Sequence, residues 1–364
     1  MTMNANSESI LDSGTRCVDA SRHPGFMRLF ARDQLTIGLI MPLETYPDGP
    51  GPTMRHHLDM AIAADEAGFG ALWMRDIPFF DPNYGDLGQV FEPLVYIAAL
   101  ATVTRSITIG TAGIVLPLRE PKLLAKQVTS LDHLSAGRML LGLSSGDRPS
   151  EYPLFDVDFD TRGERFRDAF QVYRTVAEQN FPTFESSSFG RSLGGLDMLP
   201  KPLFGHVPVL GIGRAQQSPQ WVASNMDGMI GSTPPLDKIP DRVADWRRTV
   251  DEVGLGDTFR PFGIAGYLDL TKDRDHPFER LASGIRSGSR SLARFLESAR
   301  SAGVNHAALN PKITRRPYSE ILADLQEDVL PLFPSIGCQA SSPARANDTL
   351  SPTQNQRPAA STAA

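Results

Sequence analysis

The chain has 364 residues, 41% hydrophobic and 21% charged, with a formal net charge of −6. That length exceeds one small domain and suits a single α/β barrel of about 250 residues with insertions and tails; the acidic balance gives no global attraction for nucleic acid or an anionic membrane. The two cysteines, Cys17 and Cys338, stand in polar, unpatterned stretches, and no apolar run reaches a bilayer span of roughly 20 residues or forms the core of a secretory signal, so disulfides, a cysteine-based metal site, export and membrane insertion are not expected. A cytoplasmic protein is the expectation.

Residues 1–33 are polar and without pattern, and from about Ser335 the chain turns to SIGCQASSPARANDTLSPTQNQRPAASTAA. Neither end can bury enough apolar surface to offset its chain entropy, so 1–33 and 335–364 are expected to be disordered tails around one folded domain, 34–334. Inside it, short apolar runs alternate with helical patterns. The runs are LTIGLIM (35–41), ALWMR (71–75), ITIGTA (107–112), RMLLGLS (138–144), VPVLGIG (207–213), GMIGS (228–232), FGIAGYLDL (262–270) and HAALN (306–310). Helical periodicity lies near 54–67, 93–104, 121–134, 165–179, 218–225, 237–253, 289–301 and 319–332. Eight strand–helix pairs argue for a (β/α)8 barrel over a doubly wound sheet. One interval is too long: 147–207 holds a single clear helix followed by FESSSFGRSLGGLDMLPKPLFGH, an insertion between strands four and five expected to lie over the site face.

The most informative stretch runs from Ile107 to Gly146, ITIGTAGIVLPLREPKLLAKQVTSLDHLSAGRMLLGLSSG. It reads as strand, Pro-opened helix and strand, with small residues after each strand: Thr111-Ala112-Gly113 and Ser144-Ser145-Gly146. In a parallel sheet or barrel both ends lie on the ligand-binding face. By themselves these residues fit ordinary turns as well as the seat of a flat ring.

At GTAGIVLP and LDHLSAGRMLLGLSSG the chain resembles the bacterial luciferase-like flavin monooxygenases, a superfamily that includes reductases using the deazaflavin F420, and the resemblance extends over about 35–332. It implies a barrel holding FMN, or alternatively F420, at the C-terminal strand ends. It implies a non-proline cis peptide at Ala112–Gly113 supporting the flavin ring, and flavin contacts from Ser144 and Ser145. Arg165, in RGERFRDAF, matches an arginine that reaches the flavin phosphate, with Arg162 close enough to blur the register. GIGRAQQSPQW resembles the phosphate loop, in which Gly213, Arg214 and Ala215 offer amides and Ser218 a hydroxyl; Arg214 departs from the usual small or acidic residue and could pair with phosphate or face solvent.

Luciferase itself carries a histidine pair after strand two, where this chain reads WMRDIPFFDPNYGD. Arg75 and Asp76 take that position, either as an acid–base group or as a structural ion pair. Phe79, Phe80, Tyr84 and Phe91 suggest an aromatic rim for an organic substrate, or core beneath a loop. His56, His57, His133 and His206 have no metal-ligand spacing, so no metal is expected. The resemblance implies a flavin-dependent oxidoreductase, in the first instance a two-component monooxygenase. Reduced FMN from a separate flavin reductase would act with O2 on a small organic substrate, in a homodimer packed near strands two and three. The alternatives are an F420-dependent reductase or dehydrogenase, and a flavin-binding protein without turnover.

Overall fold

The computed structural model describes residues 20–337 except residue 283. Cys17, Cys338 and most of both expected tails lie outside the described residues. Eight parallel strands close into a ring in chain order: β1 (Thr36–Ile40), β2 (Ala71–Met74), β3 (Thr108–Thr111), β4 (Met139–Ser144), β5 (Val209–Ile212), β6 (Gly228–Ser232), β7 (Phe262–Leu270) and β8 (His306–Asn310). Closure is seen in the register, where His306 pairs with both Gly263 of β7 and Thr36 of β1. The fold is a (β/α)8 barrel. Its outer helices are α2 (His57–Ala67), α3 (Pro93–Val103), α4 (Pro121–Leu134), α5 (Arg162–Glu178), α6 (Pro219–Asn225), α7 (Ile239–Glu252), α8 (Ser289–Ala302) and α9 (Tyr318–Asp328), after a first helix α1 (Pro24–Leu29).

Local chemistry starts these helices where the sequence indicates. Pro121 opens α4 with the Glu120 carboxylate accepting from Lys122 N, and Ser218 Oγ accepts from Trp221 N at the start of α6. Inside the ring, Trp73, Leu140, Leu210, Ile230 and Ala308 form a core of their own. Trp73 fits because its neighbours are glycines: a Cβ on Gly110 would stand 2.4 Å from the indole Cζ3, and one on Gly38 would stand 2.8 Å from Nε1. Trp73 Nε1 donates to His306 Nε2 at 2.9 Å. The His306 proton therefore sits on Nδ1, facing Thr36 Oγ1 at 2.8 Å, and the threonine hydroxyl donates onward to Leu29 O. Burial holds this imidazole neutral, its pKa driven down to about 3.

The expected N-terminal tail is corrected from residue 20 onward. Helix α1 closes the N-terminal end of the barrel, with Phe26, Leu29 and Phe30 buried against the interior core. Each buried side chain of this kind contributes about 1.5–3 kcal/mol. Gly25 N donates to Gly137 O, and Thr108 Oγ1 donates to Gly25 O. Six residues are too few for a periodic signal, yet positions 26, 29 and 30 make one apolar face.

The 147–207 insertion is also placed differently. Its first part, with a 3-10 helix over Pro149–Phe155, lines the cavity at the C-terminal face. After α5 the chain has returned along the barrel, and its hairpin (Thr183–Ser186 with Gly190–Leu193) lies on the outside: Lys122 of α4 binds Phe189 O, and Asp168 of α5 accepts from Ser186 and Ser187. A second elaboration, absent from the sequence reading, pairs Gly284–Ser287 with the far end of β7. Among the described residues no helix is long and apolar enough to cross a membrane.

Candidate active site

The C-terminal ends of the strands surround a cavity of about 410 Å³, within the ~300–1,000 Å³ typical of small-molecule sites. Its floor is the pair of strand ends singled out in the sequence: Ala112 and Gly113, joined by a cis peptide, beside Ser144, Ser145 and Gly146. A Cβ on Gly113 would stand 2.7 Å from Ile212 Cγ1 and 3.0 Å from Leu143 C, so only glycine lets this turn lie against β4 and β5. Ser144 Oγ donates to Gly113 O at 3.3 Å, tying the two sides together.

Arg75 and Asp76 leave β2 in different directions. Arg75 Nη1 donates to Asp86 Oδ2 at 2.6 Å and to Tyr267 Oη at 3.2 Å. Asp86 further accepts from Tyr46 Oη, Tyr267 Oη and Gly88 N, with Lys312 Nζ at 3.2 Å. Burial works against its charge, but these donors outweigh it, and the carboxyl lies well below the usual carboxylate range. Arg75 Nε and Nη2 remain buried without a hydrogen-bond partner. Asp76, its side chain 2% exposed, is bound by Arg119 through both Nε and Nη2, the latter at 2.5 Å, and accepts from Val115 N. A carboxylate engaged this way ties the floor turn to Arg119 and to Val115 N.

The wall opposite comes from the insertion. Arg148 Nη2 donates to Asp86 O at 3.2 Å and its guanidinium stacks over Tyr84, while Nη1 is buried without a partner. Glu151 is 4% exposed and its Oε1 is also partnerless. Burial pushes its carboxyl up to about 7; Arg148 opposes the shift, and Asp76, Asp147 and Asp81 add to it. Beside the cavity, the loop after β5 turns through left-handed Gly213, Ala215 and Gln216 and packs against the start of α5, where a Cβ on Gly163 would stand 3.1 Å from Gln216 Cβ. Arg167 of α5 donates to Gln217 Oε1 through Nε and Nη2.

A family model for luciferase-like monooxygenases matches residues 36–330. The chain belongs to the luciferase-like monooxygenase family. That membership places it among oxidoreductases. It is 26% identical over 236 residues to 4-hydroxyprotoasukamycin monooxygenase of Streptomyces nodosus subsp. asukaensis, a match that takes in 60% of this chain and 59% of that protein. Among solved structures it is similar in fold to an F420-dependent secondary alcohol dehydrogenase in complex with an F420–acetone adduct, at TM-score 0.66, 16% identity and 81% and 98% coverage. It is similar likewise to the oxygenating constituent of 3,6-diketocamphane monooxygenase from Pseudomonas putida in complex with FMN, at TM-score 0.63, 13% identity and 82% and 98% coverage.

Of the residues singled out in the sequence, the luciferase-like barrel gathers Arg75, Asp76, Ala112, Gly113, Ser144, Ser145 and Ala215 around one cavity. Gly213 and Arg214 line a neighbouring surface cleft, and Ser218 caps α6. Arg165 is turned elsewhere: its Nε donates to Pro117 O at 2.9 Å and its guanidinium covers Phe189. Arg162 Nη1 donates to Phe159 O and its guanidinium stacks on the Phe159 ring. On a helix, 163 and 167 share a face that 165 does not, so Arg167 is the arginine beside the loop. Tyr84 lines the cavity, whereas Phe91 packs against His57 and Tyr96 outside it. Arg148 and Glu151 escaped the sequence reading; the only signal was two charged residues in the first turn after a strand end already marked as a site. Among the described residues no group of three or more His, Cys, Asp or Glu is placed to hold a metal ion.

Proposed function

We propose that this chain is a flavin-dependent monooxygenase: FMN reduced by a separate flavin reductase works with O2 to oxygenate a small organic substrate. The observation that carries the reading is the cavity at the strand ends, floored by glycine-thin backbone and walled by buried polar atoms of Arg75, Arg148 and Glu151 that have no partner within the protein. In native structures such atoms are satisfied by a ligand or by ordered water, and grouped in one cavity their chemistry fits a flat heteroaromatic ring with carbonyl and N–H edges.

Ala112, Gly113, Ser144 and Ser145 would support the ring. Gly213, Arg214, Ala215 and Ser218 would hold the phosphate, with Arg167 steadying the loop through Gln217. Bound in reduced form, FMN would supply the electrons for oxygen activation. Arg75 Nε and Nη2 donate to an oxygen of the bound molecule, and the Asp86 cluster fixes the guanidinium plane for that contact. Tyr84 and Arg148 cover one side and keep water from it. Asp76 holds the floor turn through Val115 N.

Exposed Val95 on α3, with Leu123 and Leu134 on α4, supports a homodimer packed through the helices after β2 and β3; light scattering at micromolar concentration checks this. A cytoplasmic setting with a reductase partner belongs to the same reading. Titration with FMN and with F420 tests the cofactor: micromolar FMN affinity without F420 affinity supports the proposal. The reverse favours an F420-dependent reductase or dehydrogenase, a reading to which the fold similarity to the alcohol dehydrogenase gives some weight. Mixing the FMNH2-loaded protein with 18O2 and candidate organic substrates tests turnover. Labelled product is the expected result; FMN binding with no substrate consumed would leave a flavin-binding protein without turnover.

A further inference from the structure

Glu151 is built into the cavity wall with unusual care. Its short helix is tied down on both sides: Ser150 Oγ donates to Asp81 Oδ2 at 2.5 Å, Tyr152 Oη donates to Ser145 O, and Arg148 reaches Asp86 O. The carboxyl between these anchors lines the cavity, is shielded from bulk water and has Oε1 buried without a partner. A purely structural carboxylate would be expected to collect donors, as Asp76 and Asp86 do on the β2 side. Glu151 instead has its positive neighbour, Arg148, occupied with Asp86 O and Tyr84, and shares its surroundings with the acidic groups Asp147, Asp76 and Asp81.

We infer that Glu151 is the proton-exchanging residue of this cavity, giving its carboxyl proton to an oxygen or nitrogen of the bound organic molecule and taking one back when product leaves. The inference rests on the flavin-monooxygenase reading for the identity of that molecule. In the step, the carboxyl O–H bond breaks, an O–H or N–H bond forms on the ligand, and the carboxylate left behind faces the Arg148 guanidinium; water at the mouth, beside exposed Asp147, restores the proton. A carboxyl titrating near neutrality is suited to both directions of transfer. Of the other ionisable groups lining the cavity, Asp76 is bound to Arg119, Asp86 to Arg75 and two tyrosines, Tyr267 to Asp86 and Tyr84 to Asp147 O, while the Asp147 carboxylate is exposed to solvent.

The test compares the full chain with Glu151→Gln, which keeps the shape and removes the titration. The first readout is carbon-13 NMR of glutamate-labelled protein without ligand: wild type should show one carboxyl titrating near 7 that is missing from the variant, and a Glu151 signal titrating in the ordinary range near 4.3 would overturn the inference. The second is the Kd for FMN between pH 5.5 and 8.5. The second ionisation of the FMN phosphate, at about 6, gives both proteins a common pH dependence; wild type should show a further dependence around neutrality, of up to about tenfold per pH unit, that the variant lacks. Equal pH dependence in both proteins would overturn the inference while leaving the flavin reading intact. Failure of both proteins to bind FMN would overturn the flavin reading, and the NMR titration would still decide whether Glu151 holds its proton near neutrality. Thermal midpoints within a few degrees of each other confirm that the variant folds.

Discussion

Arg75 Nη1 lies 2.6 Å from Asp86 Oδ2, yet the same guanidinium keeps Nε and Nη2 buried without a partner. One edge is fixed by protein, and the other lines the cavity without an acceptor. Arg75→Lys retains the charge but loses the planar fork. The expected outcome is a rise of about 10–100-fold in the Kd for the molecule bound in the cavity, the range spanned by one charge-assisted hydrogen bond. Calorimetric titration with FMN and with substrate separates which of the two Arg75 touches. Unchanged affinity for both would remove Arg75 from the site.

Asp76 and Arg119 make a different prediction, because their bonds point inward. Asp76→Asn leaves the Arg119 guanidinium, also bound to Glu92, without its buried counter-charge and costs about 3 kcal/mol of folding stability. Urea denaturation measures it. If Asp76 were instead the acid–base group, the variant would denature like wild type and lose a limb of its pH–rate profile.

How much of this was legible in the chain depends on what kind of signal each residue leaves. The barrel was readable because strand–helix alternation repeats eight times, and the cavity floor because small residues follow β3 and β4. Helix α1 was hidden by its length: Phe26, Leu29 and Phe30 show their face only once the barrel end is there to receive it. Arg165 and Arg167 differ by two positions in sequence and by about 200° around α5, a distinction that the match of a motif does not resolve. Glu151 carries no pattern at all; its chemistry comes from being enclosed between the 81–86 loop and the end of β4, a placement that exists only in three dimensions. The hairpin at 183–193 packs on the outside of α4 and α5, where Phe189 meets Lys122 and Arg165.

The close approach of β3 and β4 gives a prediction for the floor. A Cβ on Gly142 would stand 1.9 Å from the Thr111 carbonyl oxygen, and Thr111 Oγ1 also exchanges hydrogen bonds with Gly142 on both its N–H and C=O. Gly142→Ala must separate the two strands and is expected to cost about 3 kcal/mol or more. Gly231→Ala, where a Cβ meets nothing within 4 Å, is the control and should be close to neutral. Thermal denaturation of the two variants compares them, and equal melting would show that the strands can part cheaply.

His206 sets the pH dependence of stability above neutrality. It sits just before β5, with Nδ1 2.8 Å from Glu178 Oε1 and Nε2 2.6 Å from Asp227 Oδ2, and Asp227 is bound in turn by Arg260 Nη1 and Val209 N. Burial alone would lower the histidine, but the two carboxylates outweigh it and raise the imidazole to about 9. The unfolded value is about 6.5, so between these limits the folded state holds a proton that the unfolded state has released, and stability falls as pH rises. The loss is on the order of 3 kcal/mol across that window. His306, held neutral down to about 3, acts in the opposite sense and only below about 6.5, where stability falls as pH drops. Glu151 has largely released its proton by pH 8, so the interval from 8 to 9 reports mainly on His206. Melting curves at pH 7, 8 and 9 should show a declining midpoint in wild type. In His206→Gln the midpoint should begin lower at pH 7 and stay level between pH 8 and 9, and a parallel decline of both proteins over that interval would place the titrating group elsewhere.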